Sequence, residues 1–74
     1  MLLTNTILLR EKIKSSGLKM KFIAEFVGLS RSGLNNKINN LRPFNQFEIE
    51  KMCAVLRITS TKEKEAIFFA KCVD

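Results

Sequence analysis

The chain contains no histidine, no tyrosine and no tryptophan, only one proline and three glycines, and two cysteines among its 74 residues. Each shortage excludes something. Without histidine, and with no CxxC pair, a zinc site has no ligand set. Cys53 and Cys72 are too few and too far apart for a disulfide framework, so both read as free thiols, Cys53 as a small core residue. A catalytic site would have to come from scattered serines, lysines and carboxylates, and these form no recognisable constellation. Glu48 and Glu50 lie about 200° apart on a helix and so make no paired-carboxylate site. No enzyme activity, cofactor or metal is expected. The apolar runs fall far short of the roughly 20 residues that cross a bilayer, and the first nine residues lack the basic start and cleavage site of a signal peptide. The expectation is one small domain spanning residues 1–74, with no membrane association and a cytoplasmic location.

What the chain does have is an uneven charge. The formal net charge is +6. Up to Arg42 there are eight basic side chains and two acidic ones; from Pro43 onward there are five of each. The whole excess therefore lies on one half, as expected if that half meets a polyanion. A merely solubilising basic surface is the plainer alternative.

Within that half, residues 20–38, MKFIAEFVGLSRSGLNNKI, read as a helix, a sharp turn and a second helix. Ile23, Ala24 and Val27 share one apolar face, Gly28 lets the backbone change direction without a Cβ penalty, and Leu34 and Ile38 form the inner face of the next helix. Ser30 is its N-cap, in a position where the first backbone N–H groups could also meet a phosphate. Gly33 weakens this helix by about 1 kcal/mol relative to alanine. Either packing of Leu34 and Ile38 compensates, or the small residue admits close approach of a nucleic-acid backbone. Asn39 and Asn40 end the helix, because asparagine tolerates left-handed backbone.

Three more helices complete an all-α, five-helix reading. The first spans 5–16, with Thr4 or Asn5 as N-cap, Leu9 and Ile13 inward, and Gly17 as a left-handed stop. The fourth opens on an Asn45/Glu48 capping box and runs to Leu56 with Ile49, Met52, Cys53 and Leu56 at i, i+3, i+4, i+7. The fifth opens on a Ser60/Glu63 capping box and runs from Thr61 to at least Ile67. Strand signals are weak throughout.

Several apolar residues fit less well. Leu2 and Leu3 either close over the core or touch a partner chain. Phe44 and Phe47 are expected to anchor the start of the fourth helix. Phe22 and Phe26 sit about 100° or more from the centre of the Ile23 face, and either pack against the first helix and the chain termini or form an exposed pair that binds another protein. Phe68, Phe69, Cys72 and Val73 either complete the core or form a dimer contact.

Residues 18–44, LKMKFIAEFVGLSRSGLNNKINNLRPF, resemble the Cro and repressor type of helix-turn-helix found in temperate phages and bacterial regulators. Ala24, Gly28, Leu29, Ser30, Leu34 and Ile38 carry the resemblance, and the later FNQFEIEKMCAVLRIT and IFFAKCV are similar to small Cro-like phage proteins of Gram-positive hosts. Asn40 and Arg57 stand where the family often has glycine, and Gly33 where it more often has threonine or alanine. The resemblance implies a dimeric DNA-binding regulator of the lysis and lysogeny decision, acting in a bacterial cell on a palindromic double-stranded operator. Base contacts would then fall on Arg31, Ser32, Asn35 and Asn36. Arg31 would suit guanine, Asn35 or Asn36 adenine, and Ser32 a base or a phosphate. Phosphate contacts would fall on Lys19, Lys21, Ser30, Lys37, Asn39, Asn40 and Arg42. The rival function is an antirepressor-like module that binds a partner repressor through Phe22, Phe26 and the Phe68, Phe69 and Val73 tail.

Overall fold

Five helices follow one another: α1 (Thr6–Ser16), α2 (Met20–Val27), α3 (Arg31–Ile38), α4 (Gln46–Leu56) and α5 (Thr61–Phe68). The computed structural model describes residues 2–71, and side chains within 3–70. The fold is all-α. Each helix starts and stops where local chemistry dictates. The Asn5 side chain accepts the Leu8 N–H at the start of α1, and the Ser30 hydroxyl accepts the Gly33 N–H at the start of α3. Such caps satisfy donors that a first helical turn leaves without partners. Asn45 and Glu48 form the reciprocal capping box expected for α4. At the start of α5 only half of the expected box exists. The Glu63 N–H donates to Ser60 Oγ, but the Glu63 carboxylate turns away to pair with Lys12 of α1 at 3.0 Å.

Gly17 and Gly28 both take left-handed backbone, with φ of 74° and 90°, and end α1 and α2. Two non-glycine residues do the same, Asn40 (φ 64°) and Arg57 (φ 57°). Arg57 closes α4 with the Arg57 N–H on the Ala54 carbonyl and the Ile58 N–H on the Cys53 carbonyl. That pattern delivers the apolar Ile58 back onto the helix it has just left, and Ile58 is buried.

The core is one cluster drawn from every helix. Leu9, Ile23, Leu34, Ile38 and Met52 are completely enclosed, and Ile13, Ala24, Val27, Ile49, Leu56, Ile67 and Phe68 are buried around them. Cys53 is half-buried against this cluster. Burial pushes its thiol pKa up despite the nearby Lys64 ammonium, with Glu50 and Glu63 adding to the rise. It is therefore a protonated packing group, as expected of a free core thiol.

The aromatic placements decide between the expected alternatives for Phe22, Phe26 and Phe68, and correct the expectation for Phe47. Phe22 and Phe26 do not pack on α1 or the termini; they are 50% and 42% exposed and touch each other with ring centroids 6.5 Å apart. Phe47 anchors nothing and is 62% exposed. Phe68 is core, meeting Phe44 edge to face at 5.5 Å, so it is no surface contact residue. Phe69 caps α5 at the surface; Cys72 and Val73 lie outside the described residues.

The first and last described segments pair. β1 (Leu2–Leu3) pairs antiparallel with β2 (Ala70–Lys71), an extended ladder too short to leave a period-two signal in the sequence. Next to it, the Asn40 carboxamide accepts the Thr4 N–H and donates to the Thr4 carbonyl, both at 2.9 Å. The Asn5 N–H donates to the Ile67 carbonyl, and the Thr6 hydroxyl to the Ile38 carbonyl. Asn40 is thus a clasp joining the end of α3 to the N-terminal strap. Asn40→Ala should lower the free energy of unfolding by about 2 kcal/mol for the two lost hydrogen bonds, with a further strain contribution at positive φ. Asn40→Gly relieves the strain but not the lost bonds. Chemical denaturation of both variants checks this: Asn40→Gly should fall between Asn40→Ala and the wild type, and full wild-type stability in Asn40→Ala would show that the clasp contributes nothing.

Candidate functional site

α3 has two sides of opposite character. Leu34 and Ile38 are fully enclosed, whereas Arg31, Ser32, Asn35 and Asn39 are exposed and Asn36 is half-exposed. The structure therefore brings together on one solvent face three of the four residues expected to contact bases, with Asn36 at its margin. The helical period accounts for Ser32, Asn35 and Asn36, which share an arc of about 100°, and Arg31 flanks that arc at the start of the helix. α2 leads into α3 through Gly28, Leu29 and Ser30, with the Leu29 N–H on the Ala24 carbonyl holding the corner. Lys19 and Lys21, at the start of α2, and Arg42, beyond α3, are all exposed.

Gly33 has a local explanation. A Cβ there would meet the Ser30 hydroxyl oxygen at 3.0 Å, the atom that accepts the Gly33 N–H. An alanine would crowd the cap that starts the helix, so the propensity lost to glycine offsets a steric conflict.

Three residues expected on phosphates are otherwise engaged. Lys37 points inward. Its ammonium pairs with Glu48, and the two side chains retain only 15% and 8% of their exposure. Glu48 also accepts the Asn45 N–H at 3.0 Å. Lys37 thus joins α3 to α4 and is removed from the exposed set. Asn40 spends both amide atoms on Thr4, as described, and is removed likewise. Ser30 commits its oxygen to capping.

Arg10 is the residue that the sequence alone did not place. It stands on α1, yet its Nη2 donates to Asn39 Oδ1 at 2.8 Å and to Asn35 Oδ1 at 3.4 Å. The ion pairs among the described residues are Lys12 with Glu63 and Lys37 with Glu48. Arg10 and Arg31 are therefore exposed, and among the described residues no carboxylate lies in ion-pair range of either. The face is cationic and rich in hydrogen-bond donors, and such a face suits an anion or the acceptor edges of bases. The only sequence signal for Arg10 was its sign. A charge on another helix shares no period with α3, so no spacing rule could have joined them.

A second surface lies on α2 and α4. The Lys51 ammonium sits 5.4 Å from the ring centroids of both Phe26 and Phe47, which extends the Phe22 and Phe26 pair into an exposed aromatic group around one cation. A shallow groove of about 350 Å³ also opens beside the Asn40 clasp, lined mainly by Leu3, Leu41, Pro43, Phe44 and Phe69. Among the described residues, no group of three or more Cys, Asp and Glu side chains is placed to hold a metal ion, and no helix is long and apolar enough to cross a membrane.

No protein family, curated protein or solved structure matches this chain. The class that can be stated is that of a small all-α protein with five helices.

The Glu48 site makes a pH prediction. Burial raises its pKa, but the Asn45 N–H and the Lys37 ammonium together outweigh that and leave it below the ordinary value of 4.5. A carboxylate whose pKa is lower folded than unfolded contributes stability above the unfolded value and loses it as pH falls through the folded one. Stability should therefore be flat above about pH 5 and fall below 4.5. Glu48→Gln should be less stable at pH 7 by about 3 kcal/mol, because Lys37 is left half-buried without its partner. It should also show a shallower acid limb. Thermal melts of both proteins from pH 3 to 7 test this; an unchanged acid limb in Glu48→Gln would remove Glu48 as the acid-sensitive group.

Proposed function

We propose that the chain is a sequence-specific double-stranded DNA-binding regulator of transcription, of the Cro and repressor kind, working as a dimer on a palindromic operator. The observation that carries the proposal is the exposed face of α3. Arg31, Ser32 and Asn35 are displayed there on a helix whose opposite side is wholly buried, with the Arg10 guanidinium alongside. An α-helix fits the major groove, and a guanidinium, a hydroxyl and carboxamides are the groups that read base edges there. The confinement of the positive excess to the same half of the chain supports the reading, because phosphate contacts supply most of the affinity for duplex DNA. In this role α2 would lie across the backbone. Lys19, Lys21 and Arg42 would hold phosphates with help from Asn39 and the free N–H groups at the start of α3. Lys37 and Asn40 have structural tasks instead.

Randomised-site selection with the purified protein, followed by titrations of the selected duplex and of unrelated DNA across a salt series, tests the proposal. Log affinity should fall with log salt by about 0.9 per phosphate neutralised on both DNAs. Asn35→Ala should weaken the selected site by about 1–3 kcal/mol and leave unrelated DNA nearly unaffected. Equal losses on both DNAs would take Asn35 out of base readout, and a selection that enriches nothing would overturn the proposal.

The exposed aromatic group favours a second reading, in which the chain binds and modulates a partner repressor. Large rings at 42–62% exposure are unusual on a surface with no partner. Phe22 and Phe26 carry over from the expected contact set and Phe47 joins them, whereas Phe68 is internal. Phe26→Ser separates the two readings. It should leave operator affinity within about twofold if DNA binding is the function, since the ring's exposure makes the fold tolerant of the change. Loss of co-purification with a repressor in this variant, together with no operator preference of the wild type at low salt, would establish the second reading.

A further inference from the structure

The contact between Arg10 and Asn35 bears on which base α3 selects, an inference that rests on the proposed DNA-binding role. A carboxamide carries its acceptor and its donors on opposite arms. In adenine recognition an asparagine uses both, accepting from N6 and donating to N7. In this protein the oxygen arm of Asn35 is turned to the Arg10 guanidinium at 3.4 Å, and Asn39, one turn along the same helix face, gives its oxygen to the same Nη2 at 2.8 Å. Arg10 has no carboxylate to satisfy it among the described ion pairs, so these two amide oxygens hold it against α3. With its oxygen so placed, Asn35 turns its N–H2 arm away from Arg10. The guanidinium has five N–H donors, and those on Nε and Nη1 make no hydrogen bond among the described residues. The combined surface is therefore dominated by donors, with the amide oxygens drawn towards Arg10.

Guanine is the base that presents only acceptors, N7 and O6, across its major-groove edge; adenine presents an acceptor beside an amino group. Donors from Asn35 and Arg10 match the first. Against the second, they leave the adenine amino group facing another donor. We propose that Arg10 is a positioning residue that draws the Asn35 oxygen towards α1, leaves the N–H2 arm to address the base, and so favours guanine over adenine at the base Asn35 addresses. This reverses the adenine preference that an unconstrained asparagine would show.

The test is parallel randomised-site selection with the full-length wild type, Arg10→Met and Asn35→Ala, together with nitrogen–proton correlation spectra of the free wild type and Arg10→Met. Methionine keeps much of the length of the arginine stem and removes every donor. The expected result is guanine at one position per half-site for the wild type. Arg10→Met should move that same position towards adenine by about tenfold or more, within the discrimination a bidentate pair provides. Asn35→Ala should erase the preference there. Without DNA, the side-chain N–H2 signals of Asn35 and Asn39 should move in Arg10→Met, a readout that does not depend on DNA binding. The same base at every position for wild type and Arg10→Met, with only uniform weakening and a salt slope reduced by about one, would make Arg10 a phosphate contact and overturn the proposal. So would unmoved amide signals, or adenine already preferred by the wild type. A wild type that enriches no sequence, with the amide signals moving as expected, would instead overturn the DNA-binding reading on which the proposal stands.

Discussion

An eight-residue helix with a glycine in its first turn does not persist in water by itself, so α3 exists because Leu34 and Ile38 are driven completely out of solvent. Everything else about the candidate site depends on that burial. It fixes the helix axis and its rotation, and the rotation decides that Arg31, Ser32 and Asn35 face outward. The inward ion pair of Lys37 with Glu48 adds a directional restraint where apolar contact would permit sliding. Because both partners are nearly enclosed, losing either one leaves a charge with nowhere to go, and this makes the pair a registry device more than a source of net stability.

The ends of the chain serve the same helix. Asn40 takes a left-handed conformation directly after α3 and reads the backbone of Thr4 as a neighbouring strand would. The Thr6 hydroxyl reaches the Ile38 carbonyl, one of the acceptors that a helix C-terminus leaves open. The N-terminal strap is in turn held by the Ile67 carbonyl and by the short ladder with Ala70–Lys71. Asparagine thus serves beyond capping at three positions, Asn40 closing the fold and Asn35 and Asn39 receiving the Arg10 guanidinium.

Most of the helical frame was legible in the sequence because it is written in short-range chemistry. Asn5, Gly17, Gly28, Ser30 and Asn45 mark boundaries through bonds to residues within four positions, so the starts of α1, α3 and α4 and the ends of α1 and α2 fall where these residues place them, whereas α2 starts without a side-chain cap. Apolar spacing identified Leu9, Ile23, Leu34, Ile38 and Met52 as inward for the same reason. The failures share the opposite cause. Ile58 belongs to no periodic run and is buried only because Arg57 turns the chain back. The second half of the Ser60 capping box was lost to Lys12, a competitor 51 residues away. Phe47 stays exposed beside Lys51 where an anchor was expected, and of its two expected places Phe68 takes the core one, because exposure depends on which neighbour arrives and Phe44 packs on Phe68.

For the candidate site, the sequence by itself determined the inventory and the helix that displays it: Ser32, Asn35 and Asn36 on one arc opposite Leu34 and Ile38, with Arg31 flanking it and the positive excess on the same half of the chain. These follow from a fixed helical period and from counting charges. Only the tertiary structure decided which polar groups remain free. It withdrew Lys37 into an ion pair and Asn40 into a clasp, and it brought Arg10 from α1 to the amides of α3. The physical reason is that hydrogen bonds and ion pairs between separate helices depend on how those helices pack, and no period within a single helix encodes that packing.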